Sequence, residues 1–178
     1  MKKIFWGLFL VLIGVTVDVG GGVVKILPDV AGYLVVTAGL MGLAKEEPAF
    51  AGAIPACKGM VIISTGFLAF QLLIPYGAYP AAVMAAYALY GIAGYYFMRK
   101  IVMEIRYMEE KREADLKGRQ MEAALAVFLI SYLCANLILI PLAVLAAAVA
   151  LLAAKIAFLV FLYRSVQLCR KAVPPLEG

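Results

Sequence analysis

Six polar side chains stand where an otherwise apolar chain leaves room for chemistry. Asp18, Lys25 and Asp29 lie within VDVGGGVVKILPDVAGY, and Gln71, Asn136 and Lys155 lie inside long apolar runs. Two carboxylates and a lysine so close in sequence can form an ion cluster beside the hydrocarbon. Such a cluster serves either as a structural clamp or as the contact set for a small charged ligand, because charged groups near a membrane are costly unless paired or hydrated. GGGVVK is not a phosphate loop: isoleucine follows Lys25 where GxxxxGK[ST] requires a hydroxyl. The chain has no histidine, which removes the commonest metal ligand and general base. Cys57, Cys134 and Cys169 are widely separated and form no CxxC, so they read as unpaired apolar fillers rather than as metal, haem or redox ligands. Paired acids at catalytic spacing and a nucleophile elbow are missing too. The expectation is a protein without cofactor or metal that is not an enzyme. It is a membrane subunit or scaffold, with a small-solute binding or transport component as the alternative.

Lys155 is the sharpest anomaly, since it falls well inside the last apolar run. Ala146, Ala150, Ala153 and Ala157 share one helical stripe, and Lys155 projects from nearly the opposite side. With that stripe turned inward, Lys155 reaches lipid by snorkelling or meets another subunit. An internal pair, with Asp18 or near Asn136, is the third arrangement. Gln71 and Asn136 each precede a proline (Pro75, Pro141). Their amides either bond neighbouring helices or line a solute path.

The elements that must hold these groups follow from composition. The chain is 66% hydrophobic and 15% charged, against about half and a quarter in soluble domains. Apolar runs over 4–17, 30–44, 60–74, 81–98, 123–140 and 142–163 predict an all-α, polytopic transmembrane bundle of six helices. About 20 residues are needed to cross a 30 Å core, so the shorter runs extend through their flanks, the first through 19–24 and the third through 51–59. With the N-terminus inside, nearly all lysines and arginines fall in cytoplasmic segments. Lys25 alone lies outside and Lys155 alone within a span. The positive-inside rule thus places both termini in the cytoplasm. The net charge of +5 then marks orientation in a cell (inner) membrane, not a nucleic-acid partner. MKKIFWGLFLVLIGV also has the form of a signal peptide, but VTVDVGG offers no clean cleavage site, and an uncleaved anchor is expected.

Residues 1–178 read as a single membrane domain with a charged helical hairpin extension at about 99–122. There Ile101, Ile105 and Met108 recur at helical spacing, Glu113 with Lys117 and Asp115 with Arg119 form i,i+4 pairs, and the chain turns near Gly118. The hairpin is either a solvated extension or, through Arg106, Lys111 and Arg112, a docking platform for a protein partner. A homo-oligomer is the other association expected. In LPDVAGY, Pro28 suits a first helical turn and Asp29 faces the positive end of the dipole, after a reversal made by the glycines. Gly39 with Gly42, Gly91 with Gly94, and the alanines of the fourth and sixth helices read as close-packing faces. Trp6, Tyr76, Tyr79, Tyr95 and Tyr96 suit interfacial belts.

LPDVAGYLVVTAGLMGLAKEEPAFAGA, over 27–53, resembles small multipass bacterial membrane proteins with an LPD-x-x-GY helix start. That resemblance implies a prokaryotic membrane protein and brings no activity with it. In architecture the chain is similar to the substrate-binding components of energy-coupling-factor transporters, with six helices and both ends inside. Its first helix has GLFLVLIG in place of their AxxxA docking pattern, and no binding residue is carried over.

Overall fold

The computed structural model describes residues 2–12, 16–19, 22–25, 29–73, 80–137 and 141–172. Among these residues the chain forms six α-helices: α1 (Lys2–Leu12), α2 (Asp29–Glu46), α3 (Ala53–Leu73), α4 (Pro80–Arg112), α5 (Gly118–Leu137) and α6 (Pro141–Ala172). A short 3-10 helix, Pro48–Gly52, leads into α3. Three helices are long and apolar enough to cross a membrane, within 48–73, 81–111 and 142–168.

Two expectations near the N-terminus need correction. The first apolar run does not continue as helix through 19–24: β1 (Thr16–Val19) and β2 (Gly22–Lys25) pair there as an antiparallel hairpin, with Val19 opposite Gly22. The β-branched residues of TVDV and GVVK favour that extended backbone. Gly42 is not a packing residue either, since a side chain there would meet nothing within 4 Å.

The helices form a ring. Each packs on its sequence neighbours, and α1 closes on α6. Glycine sets the α1–α2 seam: a Cβ on Gly7 would sit 2.7 Å from the Gly32 carbonyl oxygen, and one on Gly32 would sit 2.8 Å from that of Gly7. Gly39 likewise admits Ile4. Small residues let membrane helices approach this closely.

The outward faces are apolar. On α6, Leu142, Leu145, Val149, Leu152, Ile156 and Val160 make one exposed stripe at helical spacing. Its buried ridge is Ala147, Ala154, Phe158, Leu162 and Ser165, so the expected Ala146–Ala157 stripe is not the one turned inward. Ala146 and Ala153 are exposed, and the ridge lies one residue, about 100°, further round.

At the far end α4 runs on to Arg112, the chain turns through Glu113–Lys117, and α5 starts at Gly118. Ile101, Ile105 and Met108 are buried there with Leu116 and Met121. Glu113 and Lys117 take positive φ (49° and 68°), so the expected Glu113–Lys117 helical pair falls in the turn instead. Asp115 bonds Lys117, not Arg119 one helical turn on. Arg106 donates to Glu122 of α5 at 2.7 Å. The Glu109 carboxylate accepts the Gly118 N–H at 2.8 Å, capping a helix start whose first N–H groups have no partner in the helix.

Candidate functional site

A cavity of about 200 Å³ lies inside the ring, and every helix contributes to its wall. An engineered protein cavity of about 150 Å³ holds benzene, so this space suits a small solute. Val11 and Leu12 come from the end of α1, Asp29 and Tyr33 from the start of α2, and Phe67 and Gln71 from α3. Tyr87, Tyr90, Gly91, Gly94 and Met98 come from α4, Phe128 and Tyr132 from α5, and Lys155 from α6.

Asp29 is the first residue of α2 and only 7% exposed. At that position the helix dipole favours its negative charge, and the Tyr90 hydroxyl donates to Oδ2 at 2.6 Å. That bond ties α4 to α2 across the ring. Tyr33 follows Asp29 by one turn, is buried, and meets Phe97 edge-on at 5.5 Å. Gly94 lies beside its hydroxyl, which is 3.6 Å from where a Cβ would be, an ordinary contact. Behind Tyr33, the Thr37 hydroxyl donates to its carbonyl at 2.8 Å beside the buried Cys57 thiol.

The wall made by α3, α4 and α5 is aromatic. Phe67 stacks on Tyr90 at 4.4 Å with the rings 8° from parallel, and meets Tyr87 edge-on at 4.9 Å. Gln71 Nε2 donates to the Tyr87 hydroxyl at 2.7 Å. The Tyr132 hydroxyl donates to the Tyr87 carbonyl, also at 2.7 Å. Tyr132 can lie so close to α4 only because residue 91 is glycine; a Cβ there would overlap its ring.

Lys155 reaches the cavity because of the ridge described above. It shares a face with Phe158 and Leu162, three and seven residues on, and is half-buried. A lysine at the centre of a membrane helix costs roughly 2.5–3.5 kcal/mol on insertion scales. A cavity that also holds a carboxylate is where that cost falls. The site therefore presents an acid, a base and phenol hydroxyls on a largely aromatic wall. It can hold a compact solute by charge, hydrogen bonds and ring contacts. Among the described residues, no group of three or more acidic or cysteine side chains comes together that could hold a metal ion.

Three of the six residues singled out by type, Asp29, Gln71 and Lys155, line this one space. Asp18 and Lys25 sit on the β-hairpin, in register with Val23 and Thr16, and their side chains lie outside the described residues. Asn136 is on α5, one turn beyond Tyr132, and its side chain lies outside them too, as does that of Arg112. Arg106 is engaged with Glu122, and Lys111 is exposed.

The four tyrosines and Phe67 were not anticipated. A signal for them existed: in YALYGIAG, Tyr87, Tyr90, Gly91 and Gly94 fall on one helical face. The LPD-x-x-GY start also gains a physical meaning. Asp29 and Tyr33 are its cavity residues, and Gly32 is its contact with α1. No protein-family model matches the chain, and neither a curated protein nor a solved structure matches it.

Proposed function

We propose that this chain is a multipass protein of a cell (inner) membrane, six helices across with both ends cytoplasmic, that binds a small solute in its central cavity. It acts as a binding or transport component rather than as an enzyme. The observation that carries this reading is the convergence of all six helices on one cavity holding both Asp29 and Lys155. Charged residues inside membrane bundles mark substrate and ion pathways. The apolar exterior and the basic excess on one side support the embedding and its direction. The solute-binding reading is preferred to a scaffold docked through the hairpin because Arg106, one of the three candidate docking residues, is already paired within the chain.

The test is native mass spectrometry of protein extracted gently from its host membrane. A reproducible small-molecule adduct is expected, lost in Asp29→Asn while thermal unfolding still shows a folded protein. A protein that carries no adduct, or an Asp29→Asn variant that keeps it, overturns the binding reading. Labelling of single cysteines should find positions 21 and 78 outside and 110 inside. The reverse pattern would end the topology.

A further inference from the structure

The exterior of the bundle carries a second concavity at the seam where α1 closes on α6. It encloses about 530 Å³. Its walls are Phe5 and Phe9 of α1 with Ile156, Leu159, Val160 and Tyr163 of α6, and one end is formed by Arg164 and Gln167. Phe5 lies 5.5 Å from Tyr163, while Val11 and Leu12 share the inner cavity with Lys155. The two helices are therefore antiparallel, and the start of α1 is level with Arg164. Lys2, exposed, stands in that same turn of α1 and on the Phe9 side, while Lys3 is turned toward Gly39 of α2. The groove is thus apolar for roughly 12 Å along α6, from Ile156 to Arg164 at 1.5 Å per residue, and basic at its head.

We propose that this groove holds an acyl chain of an anionic phospholipid, with the headgroup phosphate against Arg164 and Lys2. The inference rests on the membrane embedding proposed above and is independent of the central cavity. Charge complementarity selects the occupant. In the proposed orientation the basic head meets the cytoplasmic leaflet, whose anionic headgroups attract such residues. The planar guanidinium of Arg164 suits bidentate bonding to phosphate. A zwitterionic lipid offers the same phosphate but sets its own cation against this cluster.

Trp6 makes the proposal measurable. It is the sole tryptophan, 56% exposed, with its ring 5.5 Å from those of Phe5 and Phe9. The full chain is reconstituted in phosphatidylcholine vesicles containing, at equal mole fraction, either phosphatidylglycerol or phosphatidylcholine with brominated chains. Trp6 quenching by the brominated phosphatidylglycerol should be about fivefold more effective, the size expected of one basic residue at an anionic surface. Arg164→Gln should bring the two lipids to parity. Val160→Phe, which fills the groove and leaves the charge, should also abolish the preference, with circular dichroism confirming folded protein. Should Arg164→Gln fail to fold, the Lys2→Gln variant tests the same cluster. Equal quenching in the native chain overturns the proposal, as does a preference that survives Arg164→Gln. Equal loss from Lys58→Gln on α3 also overturns it, by showing diffuse attraction to the surface. So does the absence of quenching by either lipid, which would show the seam covered by a second copy.

Discussion

The two ends of this bundle treat polar groups in opposite ways. At the cavity end the carboxylate of Asp29 is buried and bonded to Tyr90, Gln71 is bonded to Tyr87, and the surface around them is apolar. At the hairpin end the ions stand outside, with Arg106 and Glu122 46% and 44% exposed, while Ile105, Met108, Leu116 and Met121 fill the inside. The hairpin is built as a water-soluble protein is, apolar in and polar out, and the cavity end is built the other way round. The difference teaches which force holds each end. Removal of apolar surface from water stabilises the hairpin. Under the proposed embedding that force is absent between the other helices, where close packing and hydrogen bonds must serve.

Leu116→Ala should break the hairpin most. Leu116 is 1% exposed, and truncating a buried leucine costs about 2–5 kcal/mol. The loss should appear as rapid amide exchange over 108–121 while α1 and α2 stay protected. Uniform loosening of the whole molecule would erase the distinction between the ends.

Gly32→Ala comes next. Its added methyl would press on the Gly7 carbonyl oxygen and on Val11, and overpacking of this kind costs roughly 1–3 kcal/mol. Thermal unfolding in detergent should fall accordingly, whereas Gly42→Ala, with open space around it, should leave it unchanged. Equal effects would remove close packing as the explanation of the α1–α2 seam.

Tyr90→Phe keeps the ring on Phe67 and removes only the hydroxyl that donates to Asp29. A side-chain hydrogen bond within a membrane bundle is worth about 0.6 kcal/mol on average. A small drop in thermal stability is expected, with a larger loss of the adduct described above. A large stability loss with the adduct retained would make Asp29 a clamp.

The smallest effect belongs to Asp115. Hydrogen bonds from the Lys117 side chain and then its backbone N–H hold the Asp115 carboxyl below its ordinary range. A carboxylate depressed in the folded state contributes above its unfolded pKa, about 3.9, and the contribution is lost as pH falls through the lower folded value. The Lys117 amide resonance should therefore titrate with a midpoint below about 3.9. A midpoint at or above that value would show that these bonds do not persist in solution.

How much of this was legible depends on contrast. Ile101, Ile105 and Met108 stand among charges, so their period was plain and all three are buried. The turn near Gly118 and the placing of Asp29 at a helix start were readable for the same reason. On α6 nearly every residue is apolar, so the period carries no phase. Alanine tolerates both a packed and an outward position, and the alanine stripe pointed Lys155 the wrong way. Tyr87 and Tyr90 of α4 were not legible as cavity residues because a tyrosine near a span suits an interface, the reading given to Tyr95 and Tyr96, as well as an interior. The strands were not legible because Gly20–Gly22 reads as a loop, and the β-branched runs on either side form strands of only four residues.

The closure of α1 on α6 has a consequence for how the protein is made. Most other helix contacts join sequence neighbours and can form as the chain emerges, and the Tyr90–Asp29 bond needs only α4. Phe5 must wait for Tyr163, roughly ten to thirty seconds at a synthesis rate of about 5–20 residues per second. Lys155 is threaded on the same late helix. Until it arrives, α1 has one flank bare and the cavity has five walls. The newborn chain is in that interval an open ring, and any insertase or quality-control factor that attends it would be met by the open side of α1.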